Sequence, residues 1–366
     1  MFADIDLREL TELTSPDRCF LSLYVEGPGS LEHIEHSIGK MSKALNSNET
    51  EKDEREHLME NWGMVQKYLA RNPIEEGSVC IFACWLLDFL KVIPVSVKVT
   101  DLVWLDSSPY VRPLAELQDE YENVAVVVAD NKTARIFVVS SAVAVDKEVV
   151  HGNVKNHVRK GGWSQQRYER RRDNQLLHYA REIAQNLQSI EKREQINHIL
   201  LVGGKEILRE IYDNLPQALQ EKTASKRSDL RKGDASVNED IWELFSEVER
   251  ECESGLWERI RREYLRSGLG VVGIENVLTA VIEGRVDKMI VCRDFNHTGY
   301  RCRECNTLFI EPIEVCTTCN STSLYEVDAV NELVELVVQQ SGETDFVDSI
   351  DTLVESGSIG ALLRYK

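Results

Sequence analysis

The chain has 366 residues, 42% of them hydrophobic, and 62 acidic against 43 basic side chains give a formal net charge of −19. Apolar content at that level excludes a disordered chain, and the length exceeds one ordinary core, so two or three domains are expected. An acidic surface repels phosphate, which excludes a general nucleic-acid coat but leaves room for a local basic site.

The stretch MFADIDLREL at the amino terminus is acidic and has no apolar run, so no secretory signal is expected. Residues 18–26 (RCFLSLYVE) alternate and predict a strand. Residues 31–70 are polar with helical spacing and predict one long helix or a hairpin of two. Strand-like runs follow at 78–86 and 92–105. The longest apolar stretch, residues 79–97, is interrupted by Asp88, Lys91 and Pro94, so it predicts buried strands and no membrane span. SSPYVRPL at 107–114, with two prolines, predicts a linker.

A new rhythm then begins. NVAVVVAD (123–130) and RIFVVSS (135–141) predict strands around a tight NKT turn, with KEVV (147–150) a candidate third. Residues 151–162 have no apolar period and predict a loop. A helical pattern runs from about Ser164 to Ser189 through Tyr168, Leu176, Leu177, Tyr179, Ala180, Ile183, Ala184 and Leu187. HILLVGG (198–204) predicts a buried strand, 205–216 a helix, and 238–266 a long helix with a break near Gly255. Beyond SGLG (267–270), helices are expected at 274–286 and 330–342 and strands at 288–292 and 345–349. Strands followed by alternating helix and strand place the fold in the α/β class.

Nine cysteines is an odd number, and five of them (Cys19, Cys80, Cys84, Cys252 and Cys292) are scattered. Cys80, Cys84 and Cys292 lie in apolar surroundings, as buried free thiols of a cytoplasmic protein do. The other four form two CxxC pairs, Cys302 with Cys305 and Cys316 with Cys319. Each pair bends so that both thiolates face one point. Two such knuckles on a short hairpin complete a closed tetrahedral site, which points to a structural Zn2+. Redox disulfides and unligated thiols are the competing readings. A ribbon with so little apolar content needs the metal to hold itself together.

The densest positive charge sits beside a Gly-Gly. Lys155, Arg159, Lys160, Arg167, Arg170, Arg171 and Arg172 fall within 18 residues, opposed only by Glu169, around Gly161, Gly162, Trp163 and Ser164. A charge run of this kind is ordinarily a solvated face. The adjacent glycines and Trp163 favour RNA: glycine lets the backbone approach closely, Arg and Lys neutralise phosphate, and Trp163 can stack on a base. GxSxG, GxxxxGK[ST] and HExxH are all absent. His151 and His157 near the loop read as RNA contacts or surface residues. Gly203–Gly204 after a strand is a weak phosphate signal without a third glycine.

GGWSQQRYERRR resembles the archaeal and eukaryotic class-1 peptide-chain release factors and Pelota, in a bacterial branch of that superfamily. Gly161, Gly162, Ser164, Arg167, Tyr168 and Arg171 carry the match. HILLVGG, GLGVVGIENVLTAVIEGRVDKMIV, the Cys pairs and GSIGALLRYK resemble later segments in the family's order, so the likeness spans roughly residues 115–366. The resemblance implies three domains: residues 1–114 as an N-terminal α/β domain, 115–267 as a middle domain with the Gly-Gly loop, and 268–366 as a C-terminal α/β domain with a zinc ribbon inserted at about 300–325.

It also implies a protein of the ribosomal A site, meeting rRNA and peptidyl-tRNA, with a translational GTPase such as elongation factor Tu as a further partner. Two departures stand out. Position 163 is Trp where release factors have the catalytic Gln, and the first domain lacks their Asn-Ile-Lys-Ser motif. Vms-type peptidyl-tRNA hydrolases look similar at GGWSQ. Balon, a hibernation factor of the same superfamily, lacks both motifs. If the loop is extended, positions 163 and 165 point the same way, and Gln165 replaces the missing amide beside Gly161 and Gly162. Otherwise Gln165 sits in the first helical turn, which Ser164 would cap. Peptidyl-tRNA hydrolysis and non-catalytic occupation of the A site, in hibernation or Pelota-like rescue, both follow from this loop.

Overall fold

The computed structural model describes residues 7–45, 49–75, 77–95, 97–120, 123–140, 143–151, 163–194, 196–227 and 254–366. The chain divides into two compact units: residues 1–120 together with 253–366, and residues 121–252. Among the described residues no helix is long and apolar enough to cross a membrane.

The first unit opens with the short helix α1 (Leu7–Thr11), strand β1 (Phe20–Val25), helices α2 (Leu31–Ala44) and α3 (Glu49–Leu69), strands β2 (Ser78–Cys84), β3 (Phe89–Val95) and β4 (Leu102–Asp106), and helix α4 (Arg112–Glu120). Residues 31–70 are thus a pair of helices, and the run at 92–105 is split between β3 and β4. The sheet order is β3-β2-β1-β4, with every pair antiparallel. Ile34, Ile38, Leu58, Trp62 and Val65 of the two helices cover Leu21, Leu23, Ile81 and Ala83 on one face. Every residue of β1 is buried, so the other face is covered as well.

The second unit contains β5 (Val124–Ala129), β6 (Thr133–Ser140), β7 (Val143–His151), α5 (Trp163–Glu194), β8 (His198–Gly203), α6 (Lys205–Asp213), α7 (Gln217–Glu221) and β9 (Thr223–Arg227). Its sheet order is β7-β6-β5-β8-β9, with β5, β8 and β9 parallel. The Asp130 carboxylate accepts the N–H groups of Lys132 and Thr133 in the tight turn between β5 and β6. On α5, Leu176, Tyr179, Ala180, Ile183, Ala184, Leu187 and Ile190 repeat at three and four residues and bury against the sheet. Leu177 is only half-buried.

The first unit resumes with residues 254–265, helix α8, followed by β10 (Gly270–Val272), α9 (Ile274–Ile282) and β11 (Val286–Cys292). A small antiparallel sheet comes next, from β12 (Thr298–Cys302), β13 (Leu308–Phe309) and β14 (Leu324–Asp328). Then come α10 (Ala329–Gln339), β15 (Glu343–Val347), α11 (Asp351–Val354) and β16 (Ile359–Leu363). The larger sheet runs β10-β16-β11-β15. The long helix expected over 238–266 is described only from residue 254.

Residues 107–114 are not a linker. Ser107, Ser108, Tyr110, Val111, Arg112 and Leu114 are all buried. They run between the second face of the N-terminal sheet and α10. Tyr24 donates its hydroxyl to the Tyr110 carbonyl at 2.7 Å, and Ser22 Oγ accepts the Tyr110 N–H at 2.8 Å. The amides of Val111 and Arg112 both donate to Asn331 Oδ1 at 2.9 Å, and Ser108 Oγ donates to Glu335 Oε1 at 2.9 Å. From Arg112 on, the stretch already belongs to α4, and partners more than two hundred residues away satisfy its backbone amides. Cys80, Cys84 and Cys292 are buried free thiols as expected, Cys19 is buried too, and Cys252 lies outside the described residues.

Candidate functional site

In the second unit, the parallel strands β5, β8 and β9 end on one side of the sheet, where ligand sites of open α/β sheets gather. α5 starts on that side. It follows β7, which runs antiparallel to β6 and so alongside β5, and it then descends so that the Glu194 carbonyl meets the Asn123 side chain at the opposite end. Gly203 closes β8 with φ +153, and a Cβ there would lie 2.1 Å from the Ala129 carbonyl oxygen. This glycine is required by the close approach of β8 to β5, which accounts for it without a phosphate. α6 begins two residues later and is thereby fixed to the strand ends.

Arg159, Lys160, Gly161 and Gly162 lie outside the described residues, as do Lys155 and His157. Trp163 is the first residue of α5. Ser164 is therefore inside the first turn rather than its cap. The extended arrangement considered for Trp163 and Gln165 is not what the backbone does. The two positions are about 200° apart around a helix instead of on one side of a strand. Gln165 belongs to the first turn, and Arg167 lies in the second.

The basic run divides at its end. Arg170 and Arg171 are exposed, but Arg172 is buried. Its guanidinium forms a two-pronged pair with Glu206 in the first turn of α6: Nη1 donates to Oε1 at 2.7 Å, and Nη2 donates to Oε2. The carboxylate raises the Arg172 pKa above its ordinary value. Arg172 is thus committed within the protein, which corrects its assignment as a phosphate contact. Glu206 was not among the sequence candidates, and its own neighbours give no sign of the pairing.

The metal-ligand cluster forms as its spacing implies. The four Sγ atoms of Cys302, Cys305, Cys316 and Cys319 all lie within 4.8 Å of one another. Cys302 faces Cys319 at 3.5 Å, and Cys305 faces Cys316 at 3.5 Å, so each knuckle meets the other crosswise. Tetrahedral thiolates around zinc sit about 3.8 Å apart, from a Zn–S bond of about 2.3 Å. Each knuckle turns through an asparagine in the left-handed region, Asn306 (φ 59) and Asn320 (φ 61). Their amides donate to the carbonyls of Cys302 and Cys316 at 2.9 Å. Thr307 brings both its hydroxyl, 3.1 Å from Sγ, and its amide to Cys305, pulling that thiol's pKa down to about 6. Donor set, separations and turns all fit a four-thiolate metal centre.

Residues 109–249 match the model of bacterial archaeo-eukaryotic release factor family 10. By this match and the relatives below, the chain is similar to the bacterial branch of the archaeal and eukaryotic release factor superfamily. Peptide chain release factor subunit 1 of Archaeoglobus fulgidus is 25% identical over 285 residues, covering 71% of this chain and 70% of that protein. Its counterpart in Pyrococcus abyssi is 24% identical over 298 residues, with coverage of 71% and 70%. The solved structure of Dom34 of S. cerevisiae, a translation termination-like factor, is 11% identical and spans 79% of this chain and 86% of that one, with a TM-score of 0.41. The chain is release-factor-like and mixed α/β.

Proposed function

We propose that the protein binds the ribosomal A site and hydrolyses the ester of peptidyl-tRNA on stalled ribosomes or split large subunits. One observation carries the reading. Gly161–Gly162 directly precede a 32-residue helix, with Gln165 in its first turn and exposed Arg170 and Arg171 just beyond. The first N–H groups of a helix have no intrahelical partner, and its dipole favours negative charge there. A developing oxyanion at this end meets those donors and the Gln165 amide together. Arg159, Lys160, Arg167, Arg170 and Arg171 neutralise phosphates, and Trp163 stacks on a base. The release factor name of the relatives agrees with this chemistry.

The reading extends to three domains with limits at about residues 114 and 267, the third facing a translational GTPase such as elongation factor Tu. It also places Zn2+ on Cys302, Cys305, Cys316 and Cys319, in a ribbon over about 300–325, and the protein in the cytoplasm. With four thiolates and no open position, the metal would hold the ribbon together and take no part in chemistry.

A second reading, occupation of the A site without hydrolysis in hibernation or rescue, is favoured by Trp163 at the position of the release factors' Gln. An indole has one N–H donor and no acceptor to position water. Release of labelled peptide from purified peptidyl-tRNA–ribosome complexes decides between them. Gln165→Ala is expected to slow release by about 100- to 1000-fold with ribosome binding nearly intact. If the wild type releases no peptide from any complex, hydrolysis is abandoned and the second reading replaces it.

A further inference from the structure

We infer that Arg172 is a positioning residue: its pair with Glu206 fixes the amino-terminal part of α5 to the first turn of α6, which follows the carboxyl end of β8. This deepens the proposed function and rests on its reading of that loop as the working end.

Among the described side chains of α5, Arg172 is the first buried one. The buried positions that follow, Leu176, Tyr179, Ala180 and Ile183, keep the same stripe. Trp163 precedes Arg172 by nine residues, about 13 Å of helix at 1.5 Å per residue. Arg170 and Arg171 within that stretch face solvent. Arg172 is therefore the first buried contact among the described side chains of α5.

Glu206 is a firm anchor for that tie. It sits in the first turn of α6, where a carboxylate also complements the helix dipole. α6 follows Gly203, which is locked against Ala129 with no room for a Cβ. The two-pronged geometry fixes the orientation of the guanidinium as well as its distance, which a single contact would not. An ammonium in its place lacks the planar fork, so Lys is not equivalent.

Glu206→Gln distinguishes this role from RNA contact, because the two predict opposite signs. If Arg172 positions the helix, Glu206→Gln loosens α5. Amide exchange over residues 167–171 then rises about tenfold, the size of one lost charge-assisted hydrogen-bond pair. Ribosome affinity stays level or weakens, with its salt slope unchanged. If Arg172 serves RNA, the same change frees a cation, affinity rises, and the slope steepens by about one.

Arg172→Lys and the exchanged pair Arg172→Glu with Glu206→Arg complete the set in the full-length protein. The Lys variant is expected to exchange faster than wild type and the exchanged pair to recover protection. Unchanged exchange in Glu206→Gln, or a steeper salt slope, overturns the inference. Exchange is measured on the free protein, so it judges the inference even if no peptide release is found. In a releasing enzyme, Glu206→Gln should lower kcat more than it raises KM, and the exchanged pair should restore it.

Discussion

Replacing Arg112 by Met should cost the first unit about 3–5 kcal/mol. Arg112 places all of its guanidinium donors within the protein. Nε donates to Glu116 Oε1 at 2.8 Å, Nη1 to Asn296 Oδ1 at 3.0 Å and Asp328 Oδ2 at 3.2 Å, and Nη2 to the carbonyls of Arg293 at 3.0 Å and Phe295 at 2.9 Å. Its side chain is 5% exposed, against 28% for Glu116 and 11% for Asp328. Met keeps the apolar stem and removes every donor. The Glu116 carboxylate recovers water, so its bond is nearly neutral in the balance. The two carbonyls and the Asp328 carboxylate recover less, at about 1–3 kcal/mol for each buried acceptor left unpaired. Partial rehydration brings their sum into the range of about 3–5 kcal/mol measured when one partner of a buried ion pair is removed.

Urea unfolding followed by tryptophan emission reads this out. Trp104 stacks on Tyr110, two residues from Arg112, with ring centroids 4.6 Å apart. Arg112→Lys should fall between the two, since it keeps the charge and loses the fork. A Met variant within about 1 kcal/mol of wild type would refute the argument. It would mean that apolar packing replaces the network, as it does in some buried ion-pair sites.

Three further outcomes are expected. Metal analysis should find about one zinc per chain, and Cys305→Ser or chelation should loosen residues 300–325 and α3 with them, because Arg303 in the first knuckle pairs with Glu54 of α3. A metal-free preparation with an intact ribbon would contradict this. Burial pushes the Glu335 carboxyl from 4.5 up to about 8, against the opposing pull of Arg301, Ser108 and Asn331. The folded state therefore holds this proton more tightly than the unfolded one. The stability it contributes is present below about pH 4.5 and is lost as pH rises through about 8, so Glu335→Gln should flatten stability against pH over that window. Finally, replacing Arg170 and Arg171 together with Ala should reduce the salt slope of ribosome binding by about two, and an unchanged slope would identify a solvated face.

Most elements of the second unit are legible because their signals are local. Valine-rich apolar runs mark β5 and β6, a closed apolar run marks β8, and the three-and-four spacing from Leu176 to Leu187 marks α5. The CxxC pairs are legible for the same reason, since each knuckle is built within five residues. The stretch at 107–114 is not. Two prolines within eight residues carry the local signature of a linker, and the opposite outcome depends on Asn331, Asp328 and Glu335, which no window around residue 110 contains. Burial of a polar segment is a property of its partners, and here they come from the far end of the chain.

Arg172 lies between these cases. Its partner Glu206 is 34 residues away and invisible locally, yet its burial was readable. Positions 172, 176, 179 and 183 are spaced by four, three and four, so Arg172 continues the apolar stripe of α5 back toward the loop. Arg170 and Arg171 precede it by about 200° and 100° and fall off that stripe. Counting charge along the run assigns three equivalent arginines to RNA. Placing the same run on the helix surface assigns two to solvent and one to the core, where a cation persists only with an anion beside it. A buried arginine on the stripe thus implies an acidic partner on the element packed against it, and the first turn of the helix that follows the next buried strand is where that partner is found.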